Sequence, residues 1–151
     1  IYMVQHRDGR LLLHEHSQQA SSWDEECIAK MLSTEGVHDI DMDQCQLGQK
    51  DESGNPVKKP TRWISNSKCI LDALAWGCGG RHGWCDSDGQ WRKHTPCHGR
   101  VATAAAIYPF RLCKAILQGL VEEMKNKDRW DAGARLVMPP MQQQAAILWA
   151  R

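Results

Sequence analysis

Hydrophobic positions in this chain come in short runs that switch between two periods. Residues 1–8 read as the last turns of a helix stopped at Gly9. Leu11, Leu12 and Leu13 form an apolar run ending in His14-Glu15-His16, the pattern of a buried strand that delivers polar residues at its C-terminal end. Ser22-Trp23-Asp24-Glu25 has the form of a capping box, and the stripe Cys27, Ile28, Met31 and Leu32 predicts the helix it would start, closed at Gly36. Val37 to Met42 alternates apolar and acidic residues, as a half-buried strand does. Residues 48–60 hold Gly48, Gly54, Asn55, Pro56 and Pro60 and predict a loop. A short strand over Arg62–Ser65 follows, then a helix from about Ser67 to Trp76 with Ile70, Leu71 and Leu74 inward.

The clearest helical spacing is Leu112, Cys113, Ile116, Leu117, Leu120 and Val121, with Pro109 placed as a first-turn proline. Pro139-Pro140 breaks the tail, and residues 141–151 form one more helix or fray. Strand–helix–strand order predicts an α/β fold with an open sheet of parallel strands and flanking helices. Polar residues beyond the C-terminal strand ends are then the place to look for function, and His14-Glu15-His16 and Asp43-Gln44-Cys45 both fall there. One α/β domain over residues 1–123, with a Cys/His loop at 77–99, and a C-terminal helical extension or tail over 124–151 are expected.

The length of 151 residues suits a single domain with a real core, and 42% hydrophobic with 25% charged residues is ordinary for a globular protein. No apolar run reaches the length of a membrane span and no signal peptide is visible. Seven cysteines, an odd and scattered set, favour a reducing compartment, nuclear or cytoplasmic. The first residue is Ile rather than Met, so the chain is expected to be part of a longer protein.

Net charge is only +1, but it is segregated. Residues 24–52 carry nine acidic residues against Lys30 and Lys50, a net of −7. Residues 53–100 carry eight basic residues against Asp72, Asp86 and Asp88, a net of +5. Trp63, Trp76, Trp84 and Trp91 are interleaved with the second block, a combination that can engage phosphates and stack bases. The plainer alternative is a solvated face balancing the acidic one.

Cys78, His82, Cys85, His94, Cys97 and His98 crowd into 21 residues, and His82-x-x-Cys85 and His94-x-x-Cys97 share one spacing. The stretch is Gly-rich and poor in aliphatic residues, so apolar packing alone does little to order it. A metal would supply that order, because binding free energy becomes folding free energy at such sites. Thiolates with imidazoles point to tetrahedral zinc, with Cys78, His82, Cys85, His94 and Cys97 as the candidate ligands. The alternative is a loop of buried thiols and solvated histidines.

Gly9-Arg10, Leu13-His14-Glu15-His16, Asp43-Gln44-Cys45 with Gly48, Lys59-Pro60-Thr61, Asn66-Ser67, Cys78 with His82, and Tyr108-Pro109 with Leu112-Cys113 form one ordered set. Over roughly residues 9–120, this set resembles a domain of copia-type retroelement polyproteins from protist genomes. That domain is in turn similar to the second half of phage-type cytosine-5 DNA methyltransferases. The resemblance implies an incomplete Rossmann-like, methyltransferase-like sheet. It gives Glu15 the role of the family's catalytic carboxyl, which binds and protonates a ring nitrogen of the flipped cytosine. It places Lys58, Lys59, Thr61, Arg62 and Asn66 along the nucleic acid, DNA before RNA, and Tyr108-Pro109 at the cofactor pocket.

Several residues depart from the family pattern. No Pro-Cys precedes Glu15; the only one is Pro96-Cys97, inside the Cys/His loop. The Gly-rich turn that receives S-adenosylmethionine is absent, Ser17 stands where a Pro is expected, and Trp84 where a second His often stands. The resemblance thus implies the C-terminal half of such a domain, inactive alone, with S-adenosylmethionine bound only in a longer parent that supplies the N-terminal half. The other class of function is a non-catalytic module that binds zinc and nucleic acid within a mobile-element polyprotein. A Cys/His hydrolase, the third class, lacks any local nucleophile signature.

Overall fold

Strands β1 (Leu13–Ser17), β2 (His38–Asp43) and β3 (Pro60–Ser65) form one sheet in the order β1-β3-β2, with β3 antiparallel to both neighbours. The computed structural model describes residues 1–80, 83–87 and 89–126. The fold is mixed α/β, as expected, but the expected parallel pairing is corrected. β1 and β2 run in the same direction, joined through α2 (Glu26–Leu32), yet they do not pair. The long loop after β2 reverses the chain and returns β3 between them. β3 takes the centre and is the strand most fully buried.

Successive side chains of a strand point to opposite faces, and β3 uses both. Trp63 faces α3 (Lys68–Leu74) and α5 (Phe110–Asn126), in a core with Met42, Leu71, Leu74 and Leu112. Ile64 faces the other way, into a second core with Leu12, Trp23, Ile28, Met31 and Val37, against which Tyr2 and Met3 of α1 (Tyr2–Arg7) also pack. The sheet is therefore a middle layer between two helical layers.

The expected Ser22 capping box does not form. Residues Ser21–Asp24 make a 3-10 turn, and α2 starts at Glu26 with no side-chain cap. Burial of Trp23 takes precedence here, its Nε1 donating to the Ser17 carbonyl at 2.7 Å. Ser67 does cap α3, accepting from Ile70 N at 3.2 Å. Ser67 Oγ in turn donates to Glu123 Oε2 of α5 at 2.9 Å, so α5 reaches the α3 N-terminus. Gly119 allows this approach, since a Cβ there would lie 2.6 Å from Ile70 Cα and 2.7 Å from the Cys69 carbonyl oxygen. On α5, Leu112 is buried, but Leu117 and Val121, expected inward, face solvent because the contact face turns through Ala115 and Gly119 instead.

Two short elements lie within the Cys/His segment and a third just beyond it. β4 (Trp84–Cys85) and β5 (Arg92–Lys93) pair as an antiparallel ribbon, and α4 (Gly99–Ala104) follows. Thr95 fastens the end of the ribbon to the loop after β2: its N donates to the Pro56 carbonyl at 2.9 Å and its Oγ1 to Asp51 Oδ2 at 2.6 Å. The helix considered for 141–151 lies outside the described residues. Among the described residues, no helix is long and apolar enough to cross a membrane.

Candidate metal centre

Four side chains converge where β2 ends and the ribbon begins. The ligand atoms of Cys45, Cys78, Cys85 and His94 all lie within 4.8 Å of one another, and this set can hold a metal ion. Cys45 sits in a short 3-10 turn directly after β2, Cys78 follows α3, Cys85 lies on β4, and His94 follows β5. Four separate segments thus supply one ligand each, and Cys45 and Cys85 are fully buried.

Two edges of the set, both at Cys78, have tetrahedral lengths. With metal–sulfur bonds near 2.3 Å and metal–nitrogen bonds near 2.0 Å, tetrahedral edges come to about 3.8 Å between sulfurs and about 3.5 Å between sulfur and nitrogen. Cys78 Sγ lies 3.9 Å from Cys85 Sγ and 3.6 Å from His94 Nε2. His94 Nδ1 donates to the Gly83 carbonyl at 3.0 Å, which leaves the Nε2 lone pair directed at the thiols. Such an outer hydrogen bond fixes tautomer and ring orientation.

The surroundings hold the ligands in place. Cys78 N donates to Asp43 Oδ2 at 2.9 Å, and Asp43 N to the Trp76 carbonyl at 3.0 Å, stapling the ligand loop to β2. Gln46 Nε2 points at Cys85 Sγ from 3.7 Å. Gly80 passes so close to the Trp84 carbonyl that a Cβ could not be placed there. Burial, reinforced by the Cys78 and Cys85 thiols, pushes the Cys45 thiol far above its ordinary value. A bound cation reverses that preference, since a coordinating thiol is deprotonated.

The set that the fold gathers differs from the one expected. Cys78, Cys85 and His94 belong to it, and His82 lies outside the described residues. Cys97 does not belong: it lines a separate hollow of about 460 Å³ with Ser17, Gln18, Lys59 and Ala102. Cys45 was missed because it is remote in sequence from the cluster. Its position at a polar strand end, in Asp43-Gln44-Cys45, was the signal that pointed to it.

The end of the sheet gathers the other candidates. Ser17 pairs with Thr61 and Asp43 with Pro60, so the C-terminal ends of β1 and β2 meet the start of β3 at one edge. Glu15 lies near that edge, half-buried, and accepts from Tyr108 Oη at 2.7 Å. Lys59 Nζ stands 5.9 Å from the Tyr108 ring centre and donates to the Ala105 carbonyl at 3.1 Å. Burial, then the Glu15 hydrogen bond, raises the Tyr108 hydroxyl above its usual range, so it stays protonated as a donor.

The remaining residues are engaged within the fold. Lys58 Nζ lies 3.6 Å from Asp43 Oδ2. Thr61 is fully buried and accepts from Gln44 Nε2 at 2.9 Å. Arg62 lies on the face opposite Glu15, stacked over Trp23 and donating to Asp39 Oδ2 at 2.6 Å. Asn66 closes the turn between α1 and β1, accepting from Leu12 N and donating to the Arg10 carbonyl, both at 2.9 Å. Comparison of the chain with protein families, with curated proteins and with solved structures finds no match.

Proposed function

We propose that this chain is a non-catalytic α/β module, organised by one structural zinc ion, that binds nucleic acid within a longer mobile-element polyprotein. The observation that carries the zinc is the tetrahedral spacing of Cys78 Sγ to Cys85 Sγ and to His94 Nε2, with Cys45 completing the set. Three thiolates and an imidazole suit zinc over harder cations. A site with four protein ligands leaves no open position for substrate, which is the form of a structural site. The nucleic-acid part is supported by the basic balance of residues 53–100 and by the tryptophans exposed beside the metal site.

Elemental analysis of protein purified without added metal tests the zinc. About one zinc per chain is expected, given the tight affinities of structural sites, and less than about 0.2 would defeat it. A second reading, the C-terminal half of a methyltransferase-like domain, draws on the meeting of Glu15, Tyr108 and Lys59 at the sheet edge where β1 and β2 both end. In that reading Glu15 is the carboxyl that meets the base, and S-adenosylmethionine binds only when the N-terminal half of the same domain is present. Restored methyl transfer on adding that half, and its loss in Glu15→Gln, would favour it over the non-catalytic module.

A further inference from the structure

Three tryptophans stand exposed around the metal site: Trp76 at 54%, Trp84 at 43% and Trp91 at 63%. Each is a short step ahead of a ligand: Trp76 before Cys78, Trp84 before Cys85, Trp91 before His94. Trp63, the fourth of the interleaved set, is core and plays no part. Large apolar rings left in water beside a rigid centre call for a ligand that covers them.

The ribbon decides which way the rings point. Trp84 pairs with Lys93, and Cys85 with Arg92, so Trp84 and Lys93 share one face while Cys85 takes the other. Cys85 is buried toward the metal, so the Trp84–Lys93 face looks away from it. Trp91 stands exposed directly before β5, two residues from Lys93. The outer face thus carries the Trp84 indole beside the exposed Lys93, the exposed Trp91 indole adjoins it at the start of β5, exposed Asp86 follows β4, and exposed His98 and Arg100 follow β5.

We infer that the outer face of the β4–β5 ribbon is a stacking platform for single-stranded nucleic acid, with Trp84 and Trp91 taking unpaired bases and Lys93 a phosphate. The inference rests on the nucleic-acid reading above and names its site and preferred form. Flat π-faces next to a cation match the alternation of base and phosphate along a single strand. A duplex keeps its base faces stacked inside and offers the indoles nothing to cover. Because the metal ligands adjoin the tryptophans, the platform exists only while the ribbon is held.

The test uses the full chain, a fluorescent dodecamer of deoxythymidine, and a duplex of the same length, at low salt. Single-strand binding tighter than duplex binding is expected. Trp84→Ala and Trp91→Ala should each weaken single-strand binding about 5- to 150-fold, the range found for loss of one stacked base. Trp84→Phe and Trp91→Phe should keep most of it. Zinc content of every variant, measured on the same samples, shows whether the ribbon is intact. Lys93→Ala should lower the salt slope by about 0.7, the value for one phosphate of a single strand. Alanine variants that retain zinc and bind like the parent would overturn the platform and leave the face to a protein partner, while the nucleic-acid reading stands. Equal affinity for duplex overturns it too. No binding of either form would sink both this inference and the reading beneath it.

Discussion

The Tyr108 hydroxyl donates to Glu15 Oε2 at 2.7 Å across 93 residues of sequence, tying the end of β1 to the turn that leads into α5. Trp63 lies beneath this bond, its ring centre 5.9 Å from that of Tyr108. Deleting the hydroxyl leaves a half-buried carboxylate with one donor fewer. Tyr108→Phe should therefore cost about 1–2 kcal/mol in urea unfolding. Glu15→Gln, which keeps an acceptor for Tyr108, should cost less. An unchanged urea midpoint in Tyr108→Phe would show that the bond contributes nothing.

Much of the fold is legible in sequence for a simple reason. β2 alternates with period two, and α3 shows its apolar face through Ile70, Leu71 and Leu74, so burial writes a pattern. β4 and β5 are two residues each, too short to carry a period, and they depend on the ligands and on Thr95. Strand pairing is not legible in the same way, because β1–α2–β2 has the form of a crossover unit, and nothing local announces that β3 will insert between its strands. Cys78, Cys85 and His94 stood out by density, whereas Cys45 joins them only through the tertiary fold.

Cys45 and Cys97 separate the ligand set that the fold gathers from the one that spacing suggested. Cys45→Ala should lose zinc and soften the chain to proteolysis within residues 77–98, because metal binding there is folding free energy. Cys97→Ala should keep about one zinc per chain, since its thiol lies in the hollow beside Lys59. The reverse pattern of zinc contents would exchange the two ligands.

Gly119 should tolerate no side chain. Alanine gains about 1 kcal/mol of helix propensity over glycine. Its Cβ would nevertheless press on the α3 backbone at Ile70 and Cys69, which cannot rotate away as a side chain would. Overpacking of this kind costs about 1–3 kcal/mol or more. Gly119→Ala is thus expected to lower the thermal midpoint; a raised midpoint would mean that the two helices part easily.

His14 makes stability depend on pH. Burial, then the neighbouring His16, lowers its pKa below the ordinary 6.5, with Glu15 opposing. Its ring packs edge-on against Tyr2 and Trp23. The folded state therefore resists a proton that the unfolded chain accepts. The His14 contribution is complete above about pH 6.5 and is lost as pH falls below it. Urea midpoints measured from pH 7.5 down to about 5 should decline in the parent and decline less in His14→Phe, which keeps the ring packing but not the titration. Parallel profiles would remove His14 as the cause.

Salt should weaken nucleic-acid binding only moderately. Lys58 is drawn to Asp43, Lys59 to the Ala105 carbonyl, and Arg62 to Asp39, so the cations that sequence placed along the nucleic acid already have partners. Few phosphates are then neutralised and few counterions released. With two or three contacts to a single strand, affinity should fall about seven- to twenty-fold between roughly 50 and 200 mM salt, with little dependence on base sequence. Lys59→Ala should leave that slope unchanged, because its ammonium is committed within the fold. No methyl transfer from labelled S-adenosylmethionine is expected from this chain alone, since no Pro-Cys and no cofactor turn precede Glu15. A steep slope would mean that the intramolecular pairs open for phosphate, and methyl incorporation would show that this chain binds cofactor unaided.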